Sequence, residues 1–499
     1  MKKSIIFCFL AALFAIAATS CKDDEKTLVS IEVTKQPAKT IYTVGDPFDA
    51  AGMAVSAKFS DGSTAPVTVT ADMLSYDFTE AGENKTVTIS YAYEGKTETA
   101  SVDGIRVKAV DLPFTGVGTE ETPFQINTTE QFMEFVEFVN DVNSKGEEVY
   151  FKQTSDINLK GASKSFLKAN TDWVPIGTKE NPFTGNYDGM GFKITGLYVN
   201  DVYAPEDTVF NAGGLFGYIS GGTVMNATVE GTVIGNYSVG GVAGSLVNGG
   251  SIINCHANVE ITADGAAGGI VGTVMGGSAV KNCTSTGSVT GGGGIAGLVI
   301  GSGSSVTNCS SSCTINGGGG GVAGTVLDGA SLSNCYATGD VIGGGTSGGV
   351  VGNVYSAHVS NCYATGAVSG SREVGGVAGL VQWNSSASGS LTGCVALNPS
   401  ITLVGANNEY ARISRIGTYN SNNSTNYLTN NAAYSGMTVD GANVGNFNAS
   451  NENGADMTKA TIQAGGTLGN RFTSAGGWTT GAGSLPGFGA TVELPAHLR

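Results

Sequence analysis

Hydrophobic and polar residues alternate with a period of two between residues 28 and 108, which predicts short β-strands. Val29, Ile31 and Val33 are predicted to share one side of the first strand. The alternation returns twice more, each time before an Asp-Gly or Glu-Gly turn signal. Short strands separated by such turns are typical of two packed antiparallel sheets, so this region is predicted to be a β-sandwich.

A second pattern repeats at steps of 25 to 28 residues. Each unit has a Gly-Gly pair, then an Asn about halfway along, then a β-branched run, and the pairs begin at Gly213, Gly240, Gly268, Gly293, Gly320, Gly348 and Gly375. These marks divide a unit into three short strands that cannot bury both faces alone. Stacking the units buries a continuous core, which predicts a three-sided parallel β-helix. The Gly-Gly pairs are predicted to be corners with positive φ.

Six units carry a cysteine at the same position: Cys255, Cys283, Cys309, Cys335, Cys362 and Cys394. Free cysteine behaves as a small buried hydrophobe, so these side chains are predicted to stack as a structural ladder. A metal site or a disulfide set is the alternative. One cysteine per coil is unlike the close spacing of metal ligands, and parallel Cβ directions suit a disulfide badly. Cys313 lies outside the register, and no role is predicted for it.

Both ends of a β-helix need caps. Residues 128–143 carry apolar positions at helical spacing, with Thr128 and Gln131 placed as a capping box. This helix is predicted to cover the N-terminal edge, which would otherwise pair with other chains. Residues 401–499 are predicted to hold the last coils and a closing cap. The predicted fold is therefore all-β with one short α-helical cap.

The first 20 residues combine Lys2 and Lys3 with an apolar run at residues 5–17 and small residues after it. This is the pattern of a secretory signal peptide, and the run is too short to span a membrane. The residues before Cys21 resemble the lipobox of bacterial lipoproteins, which implies that Cys21 is acylated and attached to outer-membrane lipid. Cleavage beside an incidental cysteine is the alternative. Residues 22–25 resemble the surface-export signal of Bacteroidetes lipoproteins, with a solvated linker as the alternative.

Two further segments resemble known families. The stretch YDFTEAGENKTVTISYAYEGKTETA resembles bacterial Ig-like domains, and GGLFGYISGGTVMNATVEGTVIGNYSVGGVAGSL resembles the GLUG-motif repeats of bacterial surface proteins. The resulting domain organisation is a signal peptide at 1–20, a linker at 21–27, an Ig-like domain at 28–108, first coils with the helical cap at 111–212, GLUG repeats at 213–400 and C-terminal coils with a cap at 401–499.

Charge and candidate chemistry narrow the function. The chain has 499 residues and a formal charge of −16, which excludes nucleic acid as a partner because nothing could neutralise rows of phosphates. Carboxylates are sparse in the repeats and form no column, and the motif His-Glu-x-x-His of some GLUG-bearing zinc peptidases is missing. His256 and His358 are predicted to be turn or surface residues. We therefore expect no enzyme activity, no cofactor and no metal.

The densest acidic segment is predicted to be a solvated face, with a Ca²⁺ site as the alternative, and it comprises Asp172, Glu180, Asp188, Asp201, Glu206 and Asp207. Thr208 lies in a tripeptide that resembles an O-glycosylation signal of Bacteroidetes, and whether it is modified stays open.

The pattern as a whole favours an adhesin-like surface protein whose rigid β-helix binds a host or bacterial glycan or protein. The alternative is a surface lipoprotein of a glycan uptake system that captures or degrades polysaccharide through two carboxylates in a groove. A purely structural rod fits the repeats equally well.

Overall fold

The structure, a computed structural model, describes residues 26–108, 113–140, 149–160, 173–200, 212–383, 389–405, 411–419, 427–439 and 450–499. The chain divides into two compact units, Met1–Asp111 and Leu112–Arg499. No helix within the described residues is long and apolar enough to cross a membrane.

The first unit is a sandwich of two sheets, as predicted. One sheet is antiparallel and contains, in spatial order, Leu28–Lys35, Ala54–Phe59 and Thr64–Val67. The other contains Ile41–Thr43, Lys96–Lys108, Gly82–Tyr93 and Leu74–Ser75 in that order, and a short 3₁₀ helix at Ala71–Met73 precedes its last strand. Both sheets bury apolar side chains in one core between them, with Phe59, Val87, Ile89 and Ile105 among them.

The side chains of the first strand depart from the prediction. Val29 is 45% exposed, whereas Leu28 and Ile31 are buried. The register shifts between Leu28 and Ser30, where two residues of this strand face one residue of its neighbour. Such a bulge interrupts the alternation by one residue, so Leu28 takes the inward place predicted for Val29.

The second unit is a parallel β-helix with three long sheets, which confirms the predicted fold. We name the sheets A, B and C in the order in which each coil visits them. Sheet A has one strand in each of eight turns: Phe216–Ser220, Ala243–Val247, Val271–Val274, Ala296–Ile300, Ala323–Leu327, Val351–Tyr355, Ala378–Gln382 and Gly417–Tyr419.

Sheet B follows after a short turn and has eleven short strands. Its bounds are Phe124–Ile126, Tyr150–Gln153, Asn186–Asp188, Thr223–Met225, Ser251–Ile253, Ala279–Lys281, Ser305–Thr307, Ser331–Ser333, His358–Ser360, Ser390–Thr392 and Leu428–Thr429. Each strand pairs in register with its copy in the next coil, so that Ile252 lies beside Val280 and Val280 beside Val306.

Sheet C completes each coil and has 22 strands, because most coils contribute two or three short segments to it. Its bounds are Ile157–Asn158, Lys193–Asn200, Ala212–Gly213, Thr228–Gly235, Ser238–Gly240, His256–Gly268, Thr284–Gly293, Ser310–Ser311, Thr314–Asn316, Gly319–Gly320, Tyr336–Ala337, Val341–Ile342, Ser347–Gly348, Tyr363–Ala364, Val368–Gly370, Glu373–Gly375, Val395–Ala396, Ser400–Leu403, Arg412–Ser414, Ala432–Tyr434, Thr438–Val439 and Ala455–Met457.

The Gly-Gly corners have a different cause from the one predicted. Gly240 and Gly268 do not adopt a positive φ. Instead, a Cβ atom on Gly240 would lie 2.3 Å from the carbonyl oxygen of Ala243, and one on Gly268 would lie 2.0 Å from that of Val271. The chain folds back so closely at this corner that no side chain fits.

Positive φ angles occur at the asparagine about halfway along the repeats, which stands one residue before a ladder cysteine or, in the first unit, before Ala227. Asn226, Asn254, Asn282 and Asn308 all have φ between 53° and 56°. Their amides form a ladder, in which Nδ2 of Asn254, Asn282 and Asn308 each donates to Oδ1 of the preceding asparagine across 3.1 to 3.3 Å. Asparagine tolerates this left-handed conformation better than most residues, and here the stacked side chains also satisfy one another.

Helix α1, Thr129–Asn140, closes the N-terminal end of the interior. Its first turn has the predicted capping box. The backbone N–H of Gln131 donates to Thr128 Oγ1, and the backbone N–H of Asn127 donates to Gln131 Oε1. The ring of Phe135 lies 4.4 Å from that of Phe151 and stacks at 5.5 Å on Tyr187, both on sheet B. Residues 141–143 of the predicted helix lie outside the described residues.

The C-terminal segment forms a second core on the outer surface of sheet C. It contains helix α2 at Lys459–Gln463, strands at Ser484–Leu485 and Val492–Glu493, and 3₁₀ turns at Ser474–Gly476 and Ala496–Leu498. Its buried side chains pack against Tyr363, Val395 and Ala432, whereas Ala364, Ala396 and Ala433 of the same strands face the interior. We call residues 458–499 the lateral cap.

Candidate ligand-binding face

The six ladder cysteines lie in the interior of the β-helix and are at most 1% exposed. The backbone N–H groups of Cys255, Cys283 and Cys309 each donate to Sγ of the next ladder cysteine across 3.4 Å. All seven cysteines of the described residues are free thiols. Burial raises the pKa of the Cys255 and Cys283 thiols well above the usual value, so these thiols are not nucleophiles at neutral pH.

Cys313, for which no role was predicted, is also buried in the interior. Its backbone N–H donates to Ser311 Oγ across 3.1 Å, and burial raises the pKa of its thiol. It therefore acts as a core residue of sheet C. Cys21 and Thr208 lie outside the described residues, so lipidation and glycosylation remain predictions.

Sheet C presents a polar outer surface in its N-terminal coils, before the strands that the lateral cap covers. We call this surface the open face. Its side chains point away from the core in register over neighbouring coils and are half-buried or exposed: Glu230, Thr232, His256, Asn258, Glu260, Thr262, Thr284, Thr286, Ser288 and Thr290. The sequence pattern contained these residues as the outward positions of the β-branched runs, but sequence reasoning assigned them no function.

Hydrogen bonds connect neighbouring coils across the open face. His256 Nδ1 and Thr284 Oγ1 are 2.6 Å apart, and Thr286 Oγ1 donates to Asn258 Oδ1 across 3.1 Å. Burial lowers the pKa of His256, so its imidazole is neutral at pH 7. These contacts hold uncharged donors and acceptors in fixed positions.

The charges at the N-terminal edge of the open face are paired. Lys193 Nζ lies 2.9 Å from Glu230 Oε1, and this hydrogen bond raises the pKa of Lys193. The exposed rings of Tyr198 and Tyr237, 42% and 53% accessible, lie at the same end of sheet C. Tyr198 is in register with Thr232. Apolar ring surface beside neutral hydroxyls and amides suits an uncharged polar ligand.

The lateral cap borders the open face at its other end. Tyr336 stacks on Tyr363 with ring centroids 5.0 Å apart and planes at 4°, and Phe488 of the lateral cap lies 5.7 Å from Tyr336. Tyr363 is fully buried, but Tyr336 and Phe488 are only partly buried. The open face therefore ends at an aromatic step.

Candidate catalytic and metal-binding groups are dispersed. His256 lies on sheet C, His358 bonds to Ser390 on sheet B, and His497 bonds to the Leu397 carbonyl in the lateral cap. Within the described part of the chain, no three His, Cys, Asp or Glu side chains come together as a metal site. In the predicted acidic segment, Asp188 accepts hydrogen bonds from the Asn226 side chain and from the Met190 backbone N–H. Glu180 also lies within the described residues, and the other four acidic residues lie outside them.

Comparison with known families supports the domain content. The family of bacterial Ig-like domains (group 3) matches residues 35–103, and the GLUG motif matches residues 235–262 and 263–290. These matches confirm the Ig-like and GLUG assignments, and this combination is consistent with a surface protein. They cover less than half of the chain.

Two proteins show partial sequence similarity to this chain. One is a provisionally named Gly-rich membrane protein of Evansella cellulosilytica, 34% identical over 121 residues, which are 24% of this chain and 12% of that protein. The other is halomucin of Haloquadratum walsbyi, 27% identical over 168 residues, with 29% of this chain and 2% of halomucin covered. The chain thus spans only a small part of either relative.

Two solved structures resemble this chain. A provisionally named immunoglobulin A1 protease from Bacteroides ovatus has 19% identity and a TM-score of 0.41, and the match covers 75% of this chain and 94% of that one. A structure named IgA1 protease has 15% identity and a TM-score of 0.37 over 83% of this chain and 29% of the other.

These names overturn the sequence-based expectation that the chain is not an enzyme, because both of these structures are named as proteases. The expectation rested on the scarcity of carboxylates in the repeats and on the missing His-Glu-x-x-His motif, which bears on one class of zinc peptidase and not on other proteases. At this identity and TM-score the resemblance assigns no reaction and no catalytic residue to this chain.

Proposed function

We propose that the chain is held on the outer surface of a bacterial cell through a lipid on Cys21, and that the open face binds an extracellular glycan or protein. The order of Lys2, Lys3, the apolar run and Cys21 supports the lipid anchor. The Ig-like and GLUG matches, and relatives named as a membrane protein and as halomucin, support the location.

The observation that carries the binding role is the open face itself. Its in-register hydroxyl and amide groups stand on a stacked sheet whose interior is fully packed, so they keep their spacing without a ligand. A rigid array of this kind binds an extended ligand with little loss of conformational entropy. A solenoid also repeats the same contacts along its axis, which suits a polymer.

The anchor is tested by labelling cells of a Bacteroidetes host with a palmitate analogue while they express the full chain. We expect the label on the unchanged protein and on the matched control Cys8→Ser, and its loss in Cys21→Ser. Protease treatment of intact cells should then degrade the unchanged protein. Label that persists in Cys21→Ser contradicts the proposed anchor.

The binding role is tested with glycan and extracellular-protein arrays, using the chain without residues 1–21. The double variant Asn258→Ala/Thr286→Ala removes one bonded pair from the open face and should weaken binding at least tenfold. The control Thr307→Ala/Ser333→Ala removes an equivalent in-register pair from sheet B and should bind normally. Equal binding by both variants contradicts the assignment to the open face. Incubating each bound ligand with the protein, followed by analysis of its fragments, measures turnover in the same material.

A further inference from the structure

We propose that the outer surface of sheet A is the contact between two copies of this chain, which pair face to face with their coils running in opposite directions. The contact is centred on an apolar column that we call the sheet A stripe, and its members are Val247, Met275, Ile300, Leu327 and Tyr355. This inference goes beyond the proposed function, because it concerns a different side of the β-helix from the open face and a different partner.

The sheet A stripe arises from the register of the strands. Ile300 pairs with Leu327, and Leu327 pairs with Tyr355, so their outward side chains lie in one column. Met275 continues this column toward Val247, because the residues that precede these two are in register. Met275 is 38% exposed, and the other four side chains are partly exposed. Five consecutive coils therefore present apolar side chains outward over about 19 Å, and a contiguous apolar surface of this kind marks an interaction site.

Sheet A differs from the other two sheets in its charge. None of its eight strands contains an Asp, Glu, Lys, Arg or His residue. Sheet B carries Lys152, Asp188 and Lys281, and the open face of sheet C carries Glu230 and Glu260. The whole chain has a formal charge of −16, so two copies repel each other in most orientations. Contact through sheet A brings no like charges together, and protein interfaces are likewise depleted of charge at their centre.

The polar groups beside the sheet A stripe are already hydrogen-bonded within the chain. Thr273 Oγ1 lies 2.6 Å from Ser238 Oγ at the neighbouring corner. Asn353 Nδ2 donates to Thr325 Oγ1, and Tyr355 Oη donates to Asn353 Oδ1, across 3.4 Å each. A second copy that displaces water from this surface therefore leaves few unpaired donors and acceptors, which lowers the cost of burying it.

The size of the face suits a weak but specific dimer. Eight strands at a spacing of about 4.8 Å, each of about five residues, form a face of about 34 by 16 Å. Two such faces bury on the order of 1,100 Å² together, which is just above the minimum of about 1,000 Å² for a specific interface. We therefore expect a reversible dimer with a micromolar dissociation constant.

The charges at the two ends of sheet A favour copies that run in opposite directions. Lys179 and Glu180 are exposed near the first strand, and the charge of Glu180 acts on the hydroxyl of Tyr218. Near the seventh strand, Arg372 is exposed, whereas the carboxylate of Glu373 beside it is buried. A two-fold axis through the central residue of the stripe places the first strand of one copy opposite the seventh strand of the other. Glu180 of one copy then lies near Arg372 of the other, whereas parallel copies would bring like ends together.

The pairing leaves the open face uncovered. Sheets A and C are different sides of the three-sided coil, and the lateral cap packs on sheet C. A dimer through sheet A therefore presents two open faces. Two linked binding surfaces raise the avidity for a polymer without any new contact to it.

The association is tested by sedimentation velocity of the chain without residues 1–21, at micromolar to submillimolar concentrations. We expect a concentration-dependent equilibrium between monomer and dimer. Ile300→Asp places two carboxylates together at the two-fold axis and should weaken dimerisation at least tenfold. The matched control Ile342→Asp makes the same change at an isoleucine of sheet C that is 50% exposed, and it should dimerise normally. A monomer at every concentration overturns the proposal, and so does normal dimerisation by Ile300→Asp that circular dichroism shows to be folded.

Cysteine cross-linking keeps the test valid if Ile300→Asp does not fold. The seven cysteines of this shortened chain are buried, so a short bismaleimide should join only introduced thiols. Ile300→Cys should cross-link with itself, whereas Ile342→Cys should remain monomeric. A mixture of Val247→Cys and Tyr355→Cys should also cross-link, because the two-fold axis places these positions opposite each other, whereas neither variant should do so alone.

The remaining outcomes would each overturn one part of the proposal. Cross-linking of Val247→Cys with itself, without the mixed product, would show that the copies are parallel. Dimerisation that is lost in Asn258→Ala/Thr286→Ala but retained in Ile300→Asp would place the contact on the open face instead of sheet A. A monomeric chain that binds phospholipid vesicles, and loses this binding in Ile300→Asp, would show that the stripe contacts lipid and not a second copy. Ligand binding by the open face is measured separately, so either proposal can fail without the other.

Discussion

The backbone N–H of Cys283 donates a hydrogen bond to Sγ of Cys309 in the next coil, with N and Sγ 3.4 Å apart. The same contact joins Cys255 to Cys283 and Cys309 to Cys335, so sulfur atoms satisfy backbone donors along the interior. A buried N–H group without an acceptor is costly, and this gives the ladder a role beyond filling space.

Replacing a ladder cysteine should therefore lower the free energy of unfolding by more than the loss of side-chain volume alone would. We expect Cys309→Ala to lower the free energy of unfolding by about 1–2 kcal/mol, because it leaves a small cavity and removes the acceptor for the Cys283 amide. Denaturant unfolding followed by circular dichroism measures the change. Thr262→Ala, an exposed position on sheet C, is the control and should change stability by less than about 0.5 kcal/mol. Equal effects for the two variants would refute the role of the sulfur.

The cysteines should also be protected from reagents. The chain without residues 1–21 retains seven cysteines, all of them buried as free thiols. Burial denies a reagent access to all seven, and it also raises the pKa of the Cys255 and Cys283 thiols, which makes these two poorer nucleophiles. We expect a thiol-specific chromogenic reagent to detect seven thiols in denaturant and none in the folded protein. Rapid reaction of the reagent with the folded protein would contradict the burial of the cysteines.

The asparagine ladder predicts an unusual order of substitutions at Asn282, whose φ is 55°. Asn282→Gly loses the amide bonds but adopts this φ freely, whereas Asn282→Ala also strains the backbone. Alanine should therefore be the less stable variant by about 1 kcal/mol. Gly393, with φ of 67°, occupies the corresponding place before Cys394 and shows that glycine fits. Thermal unfolding of both variants tests the order, and equal stability of the two would show that only the lost amide bonds matter.

The pKa of His256 should shift in opposite directions when its two charged neighbours are replaced one at a time. Burial lowers its pKa, Glu230 raises it and Lys193 lowers it. We expect Glu230→Gln to lower the midpoint further and Lys193→Met to raise it, as followed by NMR titration of the imidazole. Shifts of the same sign in both variants would show that charge does not control this group.

The same shift determines a pH dependence of stability. The folded state binds a proton at His256 less readily than the unfolded chain, whose imidazole titrates near pH 6.5. Between the lowered pKa and about pH 6.5, the unfolded state holds more protons, so this residue makes the free energy of unfolding rise with pH. The difference in the free energy of unfolding between the unchanged protein and His256→Asn isolates the contribution of this imidazole. If that difference grows as the pH rises above 7, the predicted direction of the pH dependence is wrong.

The lateral cap is fixed by a buried hydrogen bond. Tyr363 Oη donates to the Pro486 carbonyl across 2.5 Å, and burial raises the tyrosine pKa, so the hydroxyl remains protonated. Tyr363→Phe should cost about 1–3 kcal/mol because the carbonyl loses its partner inside a core. Limited proteolysis should then release the lateral cap sooner, whereas Tyr198→Phe at an exposed position should behave normally. Unchanged proteolysis would show that apolar packing alone holds the segment.

The repeat pattern was sufficient to predict the path of the coils, because a side chain that recurs once per unit must recur at one place in a stack. The Gly-Gly pairs, the cysteines and the Asn marks therefore predicted the three sheets from sequence alone. The capping box of Thr128 and Gln131 likewise depends on residues close together in the chain. Local patterning failed at Val29, where one bulged residue reverses which side chain faces the core.

Tertiary contacts determined the structural features that do not follow from the local sequence pattern. The close approach of Gly240 to Ala243, rather than a positive φ, excludes side chains from the corner. The lateral cap covers Tyr363 completely and leaves Tyr336 partly buried, and this depends on a contact between residues more than 100 positions apart. The sequence by itself determined a stack of coils with a sulfur-lined interior, since that follows from spacing. Only the folded chain decided which outer surface stays uncovered, because that depends on where a distant apolar segment packs.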